Sequence, residues 1–296
     1  MLGRITSSQL LATSQSSLAV SRAQLARLQQ QASTGRAITK PSDDPAGTAA
    51  ALKVRGEQRA TAQYGTNIDD GLGWFSTLDA AFTGAEDLVR KGIDITVQGA
   101  NSGTMSPASR EALAMQLDGL RADLLGRANT TYLGRTVFAG NSDTGIAFDA
   151  SYAFSGLPGA SVQRRISPTE TVAVDADGAA AFGAGPTSLF GTMDGIATAL
   201  RSGDDAAVRT GLDALQSGFS ALTAQHTAVG ARYARLEQAK QDNIGAGTTL
   251  ETQRSGIEDV DPTKVLVDLK TQEVGYQTAL AVTARVIQPT LMSFLS

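Results

Sequence analysis

From residue 208 to residue 236 the side chains Val208, Leu212, Leu215, Phe219, Leu222, His226, Val229, Tyr233 and Leu236 alternate steps of four and three. That period places nine positions on one face of an α-helix and on no single face of a strand. It is the strongest periodic signal in the chain, and it predicts a long helix that weakens around the GAG at 245–247 and reaches about Ser255. The same spacing recurs at Leu113, Leu117, Leu120 and Leu124, and at Leu189, Met193, Ile196 and Leu200, which predicts two shorter helices with apolar stripes.

Three helices announce their starts in the same way. Asp44-Pro45, Ser106-Pro107 and Asp261-Pro262 each pair a capping side chain with a proline at the first helical position, where its missing N–H costs nothing. Asp44, Ser106 and Asp261 are therefore the expected helix caps. The helix opened by Asp44 extends to about Ala100 on Leu52, Ile68, Leu72, Phe75, Leu78, Phe82, Leu88 and Val89, with Gly65, Gly71, Gly73 and Gly84 weakening it locally.

The two ends of the chain carry looser heptads. Near the start, Leu11, Leu18 and Leu25 lie seven apart and Leu28 adds a further position, while Ser14 and Ser21 interrupt the stripe. Gly35 stands where a left-handed residue would end that helix. Near the other end, Leu266, Leu269, Tyr276, Leu280, Ile287 and Phe294 form the stripe, interrupted by Glu273 and Thr283, and Pro289 removes one backbone bond. Ordering a helical residue costs on the order of 1 kcal/mol or more, and burying a whole leucine returns roughly 1.5–3 kcal/mol. A stripe this broken leaves each end weakly stable unless neighbouring molecules cover it. The leucines, Tyr276, Ile287 and Phe294 named here are thus the candidate assembly interface, and a plain intramolecular antiparallel pair is the competing reading.

Between about residues 136 and 185 the texture changes to Gly, Pro and Ser with alternating segments. Ser161–Ile166 and Thr171–Asp175 read as strands, and Asp177-Gly178 as a turn. The expected fold is mainly α: a long antiparallel helical bundle or coiled-coil rod carrying a small β-rich insertion. The expected division is a terminal helical domain of residues 1–42 with 256–296, a helical rod of 43–139 with 187–255, and an insertion of 140–186.

Chemistry is sparse. Aromatics are 5% of the 296 residues, the net charge is −4 and the pI is about 5.1, so there is no basic surplus for nucleic acid. There is no cysteine, hence no thiol nucleophile, thiolate metal site or disulfide. No run of about 18 apolar residues predicts a membrane span, and the polar MLGRITSSQLLATSQSSL lacks the apolar core of a secretory signal. His226 is the only histidine and sits on the apolar stripe, which favours packing over catalysis or metal binding. No H-E-x-x-H, G-x-S-x-G or phosphate-loop motif accompanies it. The acidic pairs at Asp43-Asp44 and Glu258-Asp259-Asp261 precede proline-initiated helices, so capping and helix-dipole compensation account for them. No catalytic, metal or cofactor residue is predicted, and the reading is a structural protein and not an enzyme. An enzyme built on Asp143, Asp149, Glu170, Asp175 and Asp177 of the insertion is the alternative of another class.

Four segments resemble one family. QASTGRAITKPSDDPAGTAAAL (31–52) is similar to the stretch after the first helix of bacterial flagellins and hook-associated proteins, as is DLVRKGIDITVQGANSGTMSPASREALAMQLDGL (87–120) to their shared helix–turn–helix. ANTTYLGRTVFAGNSDTGIAFD (128–149) resembles the branch that joins hook to filament, where flagellins differ, and DLKTQEVGYQTALAVTARVIQPTLMSFL (268–295) resembles the family's terminal helix. The resemblance implies terminal helices that form an inner coiled coil and order on assembly. It implies secretion through the flagellar type III apparatus with no cleaved signal, to a place in the extracellular flagellum. The partners it implies are a ring of the chain's own copies, hook-associated protein 1, flagellin and a cytosolic export chaperone. A short flagellin that forms the filament itself is the alternative within the family.

Overall fold

The computed structural model describes residues 2–101, 105–157 and 159–287. Seven α-helices among these residues are α1 (Leu2–Thr34), α2 (Pro45–Ala100), α3 (Pro107–Ala128), α4 (Gly178–Phe182), α5 (Leu189–Ser202), α6 (Asp205–Glu258) and α7 (Pro262–Ile287). The strands are β1 (Thr131–Tyr132), β2 (Arg135–Thr136), β3 (Gln163–Arg165) and β4 (Thr171–Ala173), in two separate antiparallel pairs. The fold is mainly α with a small β region. The chain forms two compact units, Met1–Ala60 with Gly247–Ser296, and Thr61–Ala246.

In the second unit, helix starts follow from local chemistry. Ser106 accepts the Ser109 N–H at 3.2 Å, and Pro107 takes the first helical position of α3. Ser188 does the same for α5 through the Gly191 N–H at 3.0 Å, and Gly203, at φ +74°, closes it in the left-handed conformation that glycine adopts without strain. The stripe Leu189, Met193, Ile196 and Leu200 is buried. In α6, Val208, Leu215, Leu222, Val229 and Leu236 are all buried, one every seven residues, and Leu212 and Phe219 flank them half-buried. The glycines of α2 do not interrupt it. Gly73 lies against the Tyr132 hydroxyl, a space that a Cβ would occupy.

The segment between α3 and α5 wraps an aromatic core. Phe138, Phe148, Phe182 and Phe190 are all buried; Phe138 meets Phe82 of α2 and Phe182, and Phe148 meets Phe190, each edge-on with ring centres 5.1 Å apart. Asn129, just past α3, holds this segment with its whole amide. Its Oδ1 accepts the N–H groups of Ala147 and Phe148 at 2.7 and 2.9 Å, and its Nδ2 donates to the Phe148 carbonyl at 2.9 Å. The β3–β4 ladder pairs three residues, Gln163 with Ala173 through Arg165 with Thr171. Single bonds extend it at either end, from Val174 to Val162 at 2.9 Å and from Ile166 to Glu170 at 3.0 Å, so the strands are shorter than the alternation suggests. Asp177-Gly178 is not a free turn. Asp177 caps the short helix α4 by accepting the Ala179 and Ala180 N–H groups at 2.9 and 3.2 Å.

Candidate assembly interface

In the first unit, helices α1 and α7 lie against each other and run antiparallel. The Val260 N–H donates to the Gly35 carbonyl at 3.1 Å, and farther along the Gln272 amide donates to Ser21 Oγ at 2.9 Å. Position numbers fall along one helix as they rise along the other. In α1 the half-buried positions are Ser14, Leu18, Ser21, Leu25, Leu28 and Gln31; in α7 they include Leu269, Gln272, Tyr276, Ala279 and Thr283, with Val265 buried. Both follow the helical period. Two of the polar interruptions of the sequence are satisfied on this face: Ser21 receives Gln272, and Thr283 bonds the Ala279 carbonyl of its own helix at 2.8 Å.

Of the candidate interface residues, Leu18, Leu25, Leu28, Leu269 and Tyr276 face inward, whereas Leu266 and Leu280 are 57% and 43% exposed. The side chains of Leu11, Ile287 and Phe294 lie outside the described residues. Val20, Val267, Val274 and Val282 are also more than half exposed. The pair therefore buries one face of α7 and leaves several large apolar side chains on the rest of the helix open to water. Five such side chains on one helix are candidates for cover by a partner.

The loops at the base of the pair are stitched together. The Ala37 N–H donates to the Glu258 carbonyl at 2.7 Å, and Arg36 bridges Asp259 through the backbone. Asp43 accepts from the Thr39 hydroxyl at 2.8 Å and from the Lys40 N–H at 2.9 Å, and those bonds hold its carboxyl below the usual carboxylate range. Asp44 caps α2 through the Gly47 N–H at 2.9 Å, and Asp261 caps α7 through the Thr263 N–H at 2.8 Å. Glu258 is 5% exposed; Arg55 at 2.7 Å, then Arg254 at 3.2 Å, pull its pKa down. A buried carboxylate with two guanidinium partners pins the start of α2 to the end of α6 in this unit.

Elsewhere the charged groups serve packing. Among the described residues, no group of three or more His, Cys, Asp or Glu could hold a metal ion, and no helix is long and apolar enough to cross a membrane. His226 stacks on Phe82 with ring centres 5.1 Å apart and bonds two carboxylates of α2, Glu86 at 2.9 Å and Asp79 at 3.1 Å. Burial alone lowers its pKa, but those two bonds outweigh it and raise the pKa above that of a free histidine. Asp175 is buried, which pushes its carboxyl up, against bonds from Ser161 and the charge of Arg232. Arg232 in turn donates to the Ala173 and Asp175 carbonyls at 3.1 and 2.9 Å. Each of these groups is paired within the fold.

Comparison with known proteins agrees with this architecture. The bacterial flagellin N-terminal helical region matches residues 5–143, and the bacterial flagellin C-terminal helical region matches residues 212–295. Between them lies the β3–β4 and α4 segment. Flagellin of Bacillus subtilis is 26% identical over 274 residues, covering 86% of this chain and 87% of that protein. Flagellar hook-associated protein 3 of Salmonella typhimurium is 28% identical over 195 residues, covering 65% of this chain and 61% of that protein's length. A solved structure ascribed to a flagellar hook-associated protein of Vibrio parahaemolyticus shares the fold with a TM-score of 0.68 at 18% identity, over 73% of this chain and all of that one. The two family regions together span most of the sequence, from the first helix through the last, and the chain belongs to the bacterial flagellin family.

Proposed function

We propose that this chain is a structural adaptor that joins the flagellar hook to the flagellin filament and has no catalytic turnover. The observation that carries the reading is the end pair: α1 and α7 bury one face against each other while Leu266, Val267, Val274, Leu280 and Val282 stay open. Open apolar side chains on a weakly packed pair suit a subunit whose ends become ordered between neighbours. Its neighbours are copies of itself in a ring, hook-associated protein 1 on one side and flagellin on the other. An export chaperone covers the ends in the cytosol, and export proceeds through the flagellar apparatus without a cleaved signal. The inner coiled-coil region takes residues 1–42 with 256–296, the helical body 43–139 with 187–255, and the insertion 140–186.

The likeness to hook-associated protein 3 of Salmonella typhimurium and the VFAGNSD segment at 137–143 support the junction over the filament. Deleting the gene tests it: hooks without filaments, with flagellin released into the medium, are the expected result. Full-length filaments in the deletion strain would rule it out. The second reading, a short flagellin that builds the filament itself, draws on the Bacillus subtilis flagellin match across 86% of the chain. It predicts instead that the chain is the main protein of sheared filaments.

A further inference from the structure

The tip of the β1–β2 hairpin carries two features that are unfavourable in an isolated molecule. Leu133 and Gly134 form its two-residue turn at φ +48° and +80°. Asparagine and glycine adopt that left-handed pair readily, and a leucine does not. The Leu133 side chain is also 80% exposed, the most exposed of the large apolar residues described. The hairpin beneath it is firmly held: Tyr132 packs on the buried Trp74 with ring centres 5.4 Å apart, Thr136 is buried, and the Val137 N–H returns to the Thr130 carbonyl at 3.1 Å. The leucine thus stands out on a rigid mount.

An apolar recess of about 260 Å³ lies in the same unit, walled by Phe75, Val229 and Tyr233 and edged by Asp79. The Tyr233 ring meets Phe75 edge-on at 6.1 Å and is 41% exposed. The Asp79 side chain is 74% exposed, with one oxygen on His226. Hairpin and recess lie at the same height on α2. The hairpin meets Gly73 and Trp74, while the recess uses Phe75, Ser76 and Asp79. At about 100° per residue, those two sets point roughly half a turn apart, to opposite flanks of the helix. Charge completes the match. Arg135, exposed and two residues from Leu133, has no side-chain hydrogen bond or ion pair among the described residues, and Asp79 offers a carboxylate at the rim of the recess.

We propose that Leu133 is a docking knob that seats in the Phe75–Tyr233 recess of a second copy of this chain, with Arg135 against Asp79. A contact between opposite flanks at one height is head-to-tail and repeats from neighbour to neighbour, in a ring or along a helix. The proposal deepens the junction reading, on which it rests, by naming the lateral contact between ring neighbours.

The chain has no cysteine, so introduced thiols report cleanly. Leu133→Cys and Tyr233→Cys are co-expressed on separate chains, and sheared hook–filament particles, which hold the chain under either family reading, are oxidised. A disulfide dimer that requires both variants is expected. No dimer, or the same dimer from either variant alone, overturns the contact. Leu133→Asn is the second test, because asparagine suits the turn and should leave the melting temperature unchanged or higher. In a deletion strain it should support at least tenfold fewer filaments than the wild-type gene. Wild-type filament number would overturn the knob. If the wild-type gene itself restores nothing, the junction reading fails, and the cross-link still decides the contact.

Discussion

The end pair and the body are both helical, yet they use their side chains in opposite ways. In the body, α6 buries a residue at every seventh position and α2 meets it with Phe75, Leu78, Phe82 and Val89, all at or near zero exposure. In α1 no described side chain is buried at all, and among the described side chains of α7 only Val265 is. The difference is not one of helix length or of helix propensity. It is that the body has found a partner for its apolar face within one molecule, whereas the ends have found half of one. Most helical stability in proteins comes from such packing, so the body should behave as a folded domain and the ends as conditional structure.

The most direct way to break that contrast is to damage the body. Phe182 is 1% exposed and touches the rings of Phe82, Phe138, Phe148 and Phe190. Phe182→Ala should cost about 3–5 kcal/mol, read as a drop of roughly 10 °C in the melting temperature of a unit this size. A shift of only a degree or two would mean that the body is as loosely packed as the ends. Asn129→Ala comes next. It strands the Ala147 and Phe148 N–H groups and the Phe148 carbonyl together, and a loss of about 2–3 kcal/mol is expected from chemical denaturation.

A smaller effect sharpens the body's electrostatics. Carboxylates only accept hydrogen bonds, and a neutral imidazole donates only one, so His226 satisfies both Glu86 and Asp79 only when protonated. Its pKa is higher in the folded protein than in the unfolded chain. The stabilisation is therefore complete below the unfolded value, about 6.5, and is lost as the pH rises through the folded one. Relative to His226→Gln, the wild-type body should be more stable at about pH 6 than at about pH 9, by about 1 kcal/mol or less for a half-exposed pair. Parallel melting curves for the two proteins across that range would show that the imidazole is not charged there.

Much of this was legible in the sequence, and the limits of that legibility are physical. The caps at Asp44, Ser106 and Asp261 act through bonds to residues two or three positions away, and the four-three stripe of α6 records its own buried face. Such local signals need no knowledge of the partner. His226 sits on that stripe but at its edge, and its two carboxylate partners lie about 140 positions earlier, a distance that no periodicity encodes. Asn129 is similar: nothing in ANTT says that its amide will close on residues 147 and 148. Asp177-Gly178 reads as a turn, and the fold makes Asp177 a cap because three alanines and Phe182 continue as a helix. Leu133 runs against its local signal, since Leu-Gly is a poor turn pair, and such a conflict between local preference and adopted structure is where function tends to lie. In the end helices, serines 14 and 21 were visible as flaws in a stripe. They are part of the stripe, which is why it is weak.

The smallest effect on the body should accompany the largest effect on assembly. Leu280 is 43% exposed, one turn beyond the inward Tyr276 at the edge of the face that α7 turns toward α1. Leu280 belongs to the end unit and an aspartate at this edge can reach water, so Leu280→Asp should leave the unfolding of the body within about 0.5 kcal/mol of wild type. In the assembled state the same carboxylate would be desolvated without a partner, a cost of several kcal/mol, and incorporation into hook–filament particles should be lost. Leu25→Asp differs in one respect: it lies on the face that α1 turns toward α7, so it should also speed proteolysis of both ends in the free chain while sparing the body. Should Leu280→Asp be incorporated at the wild-type level, the open apolar side chains of α7 are simply solvated in the assembly. The half-formed partnership of the ends would then have to be completed through α1, where Val20 is the one large apolar side chain left outward among the described residues.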